Sequence, residues 1–305
     1  MARDVSAPPS AAPLVRLERR GPIALLWMDS PPVNVLGAPL IAALSAALDE
    51  VSQDPALRAV VLASAQERAF AAGANIREMV GLLPPQARSH GSRGQALTVR
   101  IERLPLPVIA AVHGGALGGG CEVALACDLI VASEDALFGQ PEINLGVMPG
   151  WGGTRRLPRR IGAARARWWI MSGQSVSAAE AERQGLVFRV VPRSELVATA
   201  VALAGELAQK PALALAAAKY AMNSALDPSL EEGLRYELAL WSHLFGTPDQ
   251  KEGMQAFLEK RSAGFVGRSG WTELSRGFPW QSRDRRAERP RRASGHAHRG
   301  GKHKR

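Results

Sequence analysis

The stretch PVIAAVHGGALGGGCEVALACDLIVAS, residues 107–133, sets two continuous apolar runs on either side of a glycine-rich segment and a run of small residues. The first run, 107–112, is bounded by proline and by His113-Gly114 and reads as a strand buried on both faces. Five glycines in the nine positions 114–122 cannot be there to fill a core, so the backbone must pass close to something. Val123, Ala124, Ala126 and Cys127 suit a buried helix, and LIVAS (129–133) supplies the next strand. A β-loop-α-β unit of this kind predicts a layered α/β fold.

The rest of the chain extends that pattern in both directions. LVRLE and IALLWMD (14–18 and 23–29) flank RRGP as a hairpin. Leu40, Ile41, Leu44, Leu48 and Val51 recur at helical spacing up to a stop at Asp54-Pro55, and AVVLAS (59–64) follows as a strand. A further helical stretch ends near Leu104. Strand, helix and strand then alternate to about Val191, whereas residues 194–261 read as helices alone, with caps at Asp227-Pro228-Ser229 and Thr247-Pro248. Apolar helix faces so late in a chain need either the core or another subunit to cover them. The expected organisation is a flexible arm (1–13), a catalytic core (14–193), a helical region (194–261) and a basic tail (262–305).

At 305 residues and 46% hydrophobic, the chain can bury a substantial core. Its net charge of +10 resembles a nucleic-acid signal until it is divided: residues 262–305 hold twelve Lys/Arg against three Asp/Glu and so carry +9 of it. That segment has no periodicity, and disorder is its default reading. RNA or partner binding through its basic residues with Trp271, Phe278 and Trp280 is the alternative of another class. His296, His298 and His303 there offer a metal no fixed geometry. Cys121 and Cys127 fit neither a disulfide framework nor a zinc site, and the N-terminus lacks a signal peptide's apolar core, so a cytoplasmic protein without a membrane span is expected.

The glycines fail the specific phosphate fingerprints. No register between 114 and 123 gives G-x-G-x-x-G, and no lysine follows for a P-loop. A nucleophilic Cys121 in a helix's first turn has only His113 nearby in sequence, and inert burial is the plainer reading. Two readings stay open: an oxyanion hole of unobstructed backbone N–H groups, with a second small-residue loop at Ala71-Ala72-Gly73-Ala74, or close helix–sheet packing at both loops. Glu122 lies in the first turn of an otherwise apolar helix, and Glu142 between an apolar strand and a glycine turn. A buried pair of carboxylates can hold a water and move a proton, although a turn cap explains Glu142 equally well.

Four motifs in one uninterrupted order, AFAAGANIREM (69–79), AAVHGGALGGGCEVALACD (110–128), FGQPEINLGVMPGWGGTRRL (138–157) and SAAEAERQGLV (177–187), resemble the enoyl-CoA hydratase/isomerase (crotonase) superfamily. The resemblance covers about residues 14–261. It implies a crotonase-like spiral of ββα units with a C-terminal helical region that packs in homotrimers or dimers of trimers. It implies an acyl-CoA substrate and no separate cofactor, with coenzyme A as part of the substrate. The N–H groups of Ala74 and Gly119 would form the oxyanion hole, and Glu122 and Glu142, at the family's twenty-residue separation, would be the two catalytic carboxylates of a hydratase. Ala72, Ala74, Asn75, Ile76 and Arg77 match the positions that contact pantetheine and adenine.

Three features depart from the family pattern. Asn75 replaces the usual aspartate but can still cap a helix. Trp151 stands where a small residue is common beside the acyl pocket. The loop DSPPVNVLG (29–37) lacks the basic residue that often meets a CoA phosphate, a role that falls to Arg77 or a neighbouring subunit. An enoyl-CoA double-bond isomerase is the alternative within the superfamily, and two glutamates argue against its single base.

Overall fold

A computed structural model describes residues 13–224 and 229–267. The expectations placed on the first twelve residues, on Asp227-Pro228 and on the tail from residue 268 lie outside the described residues.

The hairpin Val15–Arg20 and Ile23–Met28 opens a six-stranded sheet that continues in order through Ala59–Ser64, Val108–Val112, Leu129–Ser133 and Arg189–Val191. Only the hairpin pair is antiparallel. The strands are continuous apolar runs because both faces are covered, and alternate side chains go to different cores. Val60 and Leu62 join a large cluster under Ala38–Gln53, Pro84–Arg103 and Gly119–Ala126, whereas Ala59, Val61 and Ala63 join a smaller one on the opposite face.

The helix Leu196–Ala208 covers that opposite face with Leu196, Ala200, Leu203 and Ala204. The first of the C-terminal helices is thus part of the core. The later helices, Ala212–Ser224, Leu230–Leu244 and Pro248–Leu258, leave Leu230, Leu234, Leu238, Trp241, Phe257 and Leu258 exposed. Ser229 and Thr247 cap the last two, each accepting an N–H from the helix's first turn. Residues 262–267 have no regular structure but are fastened down: Val266 and Gly267 donate their N–H groups to Asp249 Oδ1 at 2.9 and 2.8 Å, and Arg58 donates to the Gly267 carbonyl.

A second, four-stranded sheet was not visible in the sequence pattern. Its strands, Ser175–Ser177, Leu137–Gly139, Gly115–Leu117 and Ala69–Ala71 in sheet order, are three residues each. One of them lies inside the glycine run itself. A two-stranded parallel pair, Val35–Leu36 with Gly73–Ala74, stands apart from this sheet.

Asn34 locks that pair to the larger structure. Fully buried and at a φ of 51°, it donates from Nδ2 to Ser64 Oγ at 2.7 Å and to the Phe70 carbonyl at 3.0 Å, while its Oδ1 accepts from the Ser30 N–H at 2.7 Å. Replacing it leaves buried partners unsatisfied and puts another side chain in a left-handed conformation that asparagine tolerates well. Asn34→Ala is expected to lower unfolding free energy by about 2–4 kcal/mol in urea titration; a loss below about 1 kcal/mol would show that these bonds contribute little.

Candidate active site

Three strands of the smaller sheet, Ala69–Ala71, Gly115–Leu117 and Leu137–Gly139, run parallel, with Ala69 opposite Gly115 and Gly115 opposite Leu137. Parallel strands end at the same edge, so whatever follows each of them in sequence is delivered to one place. Here those followers are Gly73-Ala74, Gly118 to Glu122, and Gln140 to Glu142.

Close packing accounts for two of the glycines. Cβ atoms on Gly114 and Gly120 would collide with the carbonyl oxygens of Arg68 and Ala71, so those two serve close packing. Gly118 takes a φ of 50° to turn the chain into the helix, and its own N–H is used on the Gly139 carbonyl at 2.9 Å. Gly119 is the first helical residue, and a first-turn N–H has no carbonyl partner within its helix. A Cβ on Gly73 would lie 2.9 Å from the Leu117 oxygen and 3.6 Å from the Gly119 nitrogen, which puts the second small-residue loop directly against this helix start.

Both glutamates reach the same edge. Glu122 is 2% exposed, and its Oε1 accepts N–H bonds from Trp151 and Gly153, each at 2.7 Å. Burial lifts its carboxyl above the ordinary value, opposed by those two bonds and by the charge of Arg156. Glu142, in the short 3₁₀ turn Pro141–Leu145, lays Oε1 within 3.1 Å of the position a Cβ on Gly118 would take. Its Oε2 is buried without a hydrogen-bond partner. Burial, reinforced by the neighbouring Glu122 charge, pushes the Glu142 carboxyl up to about 7. One carboxylate is thus held by donors and the other is poised to carry a proton near neutrality, an arrangement suited to general acid–base chemistry.

The segment Ala72 to Arg77 forms a rim: Ala72, Ile76 and Arg77 are exposed and Asn75 half-buried. Asn75 caps the short helix Ile76–Met79, accepting from the Arg77 N–H and donating to Glu78 Oε1 at 2.9 Å. Trp151 is 4% exposed, and its indole fills the space over two glycines: a Cβ on Gly119 would lie 2.7 Å from the ring, and one on Gly94 would collide with it. Cys121 is fully buried, and burial drives its thiol up to about 12, which makes it inert as a nucleophile at neutral pH.

Sequence reasoning missed the residues behind Glu122. The loop Gly150-Trp151-Gly152-Gly153 supplies both of its N–H donors, and that loop is held by Gln95, Thr98 and Arg156. The glycine cluster in PGWGG, just before a helix, was the available signal for a backbone cradle of this kind.

The carboxyl ends of three parallel strands thus bring a helix start and two carboxylates, Glu122 buried and Glu142 half-buried, to one edge. The enoyl-CoA hydratase/isomerase family model matches residues 18–268. A probable enoyl-CoA hydratase of Rhizobium meliloti is 48% identical over 250 residues, 82% of this chain and 96% of that one. The short-chain-enoyl-CoA hydratase of Clostridium acetobutylicum is 40% identical over 248 residues, 81% and 95% of the two chains. The crystal structure of an enoyl-CoA hydratase from Bacillus anthracis superposes with a TM-score of 0.79 at 36% identity, covering 83% of this chain and 99% of that one. The chain belongs to the enoyl-CoA hydratase/isomerase family, and its fold is the crotonase fold.

The raised Glu142 carboxyl has a consequence for stability. A carboxyl whose value in the folded state lies above its unfolded value contributes stability at low pH that is lost as pH rises through the folded value, here about 7. Glu142→Gln, neutral at every pH, is therefore expected to melt above wild type at about pH 8 and level with it near pH 4. Equal melting temperatures at both would contradict a Glu142 carboxyl raised by its surroundings.

Proposed function

We propose that the protein is an enoyl-CoA hydratase, adding water syn across the C2=C3 bond of a trans-2-enoyl-CoA to give a 3-hydroxyacyl-CoA. The observation that carries this reading is the pair of carboxylates, Glu122 buried and Glu142 half-buried, at one strand edge beside the Gly119 helix start. The names of the relatives at 40–48% identity over four-fifths of the chain support the same reaction.

In this reading the thioester oxygen sits against the N–H groups of Ala74 and Gly119. Attack of water at C3 moves charge onto that oxygen, and donors fixed in advance stabilise the resulting enolate; one such donor is typically worth roughly 10²–10³ in rate. Glu122 orients the water and takes its proton. Glu142 in its protonated form delivers a proton to C2, and in the reverse direction removes it. The two carboxyls work with one proton between them, which fits their unequal surroundings. Ala72, Asn75, Ile76 and Arg77 form the rim along which pantetheine and adenine lie. The reaction needs no cofactor beyond the coenzyme A of its substrate.

The exposed apolar residues of the later C-terminal helices are the faces we assign to a homotrimer or a dimer of trimers. No helix among the described residues is long and apolar enough to cross a membrane. The unpaired thiols of Cys121 and Cys127 suit the cytoplasm, to which we assign the protein.

Turnover of enoyl-CoAs of increasing chain length, followed by loss of the enoyl-thioester absorbance and by mass of the product, tests the reading. Hydration of at least one of them is expected, with Glu122→Gln and Glu142→Gln each slower by roughly 10²–10⁴. Binding of CoA thioesters without hydration, or double-bond migration in place of water addition, would overturn it.

A further inference from the structure

Glu122 does not hold itself in place. Its two N–H donors belong to a loop whose Gly150, Trp151 and Gly152 carry no side-chain anchor of their own to Glu122, and the loop is braced from behind. Gln95 donates to the Gly150 carbonyl at 2.8 Å, and Thr98 Oγ1 donates to the Trp151 carbonyl at 2.9 Å. Arg156 reaches the same carbonyl from the helix Gly153–Ile161: Nη1 donates to it at 2.9 Å and lies 3.2 Å from Thr98 Oγ1, while Nη2 pairs with Glu102 at 2.6 Å. The guanidinium is packed so tightly under the loop that a Cβ on Gly152 would collide with it. That glycine, at a φ of 116°, leaves the space the arginine occupies.

From this geometry we propose that Arg156 is the positioning residue of Glu122, fixing the Trp151 and Gly153 N–H groups on its carboxylate and supplying a positive charge behind them. The role rests on the hydratase reading for its catalytic meaning, though not for its physical basis. A peptide whose carbonyl accepts a hydrogen bond has a more acidic N–H: the Arg156 bond to the Trp151 carbonyl acts on the Gly152 N–H, which also favours the Glu122 carboxylate, and the Gln95 bond to the Gly150 carbonyl acts on the Trp151 N–H that Glu122 accepts. A lysine carries the charge but cannot fork in a plane between the Trp151 carbonyl and Glu102.

The charged and titratable groups facing Glu122 are few. Arg156 acts from its own helix and Glu142 from the 3₁₀ turn, Cys121 adjoins it in sequence, Glu102 stands behind Arg156, and His90 lies across the Trp151 ring at 6.5 Å. Arg156 opposes the rise that burial imposes on Glu122, and Glu102 offsets part of that cation.

Three variants separate positioning from a merely structural role: Arg156→Gln, Arg156→Lys and Glu102→Gln. In Arg156→Gln kcat is expected to fall roughly 10²-fold with KM little changed, because a displaced base misorients its water. The acid limb of kcat/KM should move to higher pH in Arg156→Gln, stay near wild type in Arg156→Lys, whose kcat still falls, and move to lower pH in Glu102→Gln. The Glu122 carboxyl is also followed without turnover, as the infrared carboxylate band that Glu122→Gln removes, titrated in the Glu142→Gln background so that one group is read alone. A band that titrates at the same pH in wild type and in Arg156→Gln overturns the proposal. If Arg156→Gln does not fold, the Lys and Glu102 variants carry the same decision through their limbs and bands. Bands that move as described in a protein that hydrates no enoyl-CoA would sink the hydratase reading and leave the positioning role standing.

Discussion

Everything at the site depends on the parallel pairing of three strands of three residues each. Ala69–Ala71, Gly115–Leu117 and Leu137–Gly139 are too short to be stable alone, and they exist because the larger sheet and its helices hold them in register. Their common direction is what turns three distant stretches of sequence into one edge. A slip of one residue between Gly115–Leu117 and either neighbour would carry Gly119 away from Gly73 or Glu142 away from Gly118. Phe70, where the register of the first pair shifts, and Phe138 are completely buried in the main cluster.

The electrostatic design follows from that convergence. Two carboxylates brought together in a dry place cannot both be comfortable as anions, and the surroundings treat them differently. Glu122 is given two peptide N–H donors and a guanidinium one peptide away; Glu142 is given burial and an Oε2 with no partner. Different surroundings for chemically identical side chains thus come from which backbone each one meets. The backbone can come so close because the approaching residues are glycines or lie beside them.

Much of this was legible in the sequence. The buried strand at 108–112 and the helix at 119–126 could be read from continuous apolar runs, with Glu122 the one acidic residue in the helix, whereas Glu142, between an apolar strand and a glycine turn, could equally be read as a turn cap. The glycine run could be read only as a close approach, and the structure shows two kinds: packing at Gly114 and Gly120, and a helix start at Gly118 and Gly119. The second sheet could not be read, since segments such as Gly115-Ala116-Leu117 have no alternation and their pairing is decided by tertiary contacts. Arg156 was equally hidden. Its helix is dense in arginine, where exposure is the ordinary expectation, and its carboxylate partner lies 54 residues earlier in the chain.

In the proposed reaction, backbone N–H groups at the converged strand edge polarise a thioester carbonyl. An isotope-edited infrared difference spectrum of an enoyl-CoA carrying ¹³C at the thioester carbon, bound to the Glu122→Gln protein so that it does not turn over, measures this directly. A carbonyl stretch shifted to lower frequency than in water is expected, returned toward the free value when Gly119 is replaced by proline, which has no N–H to donate. A carbonyl band at its aqueous position in the bound complex would contradict it.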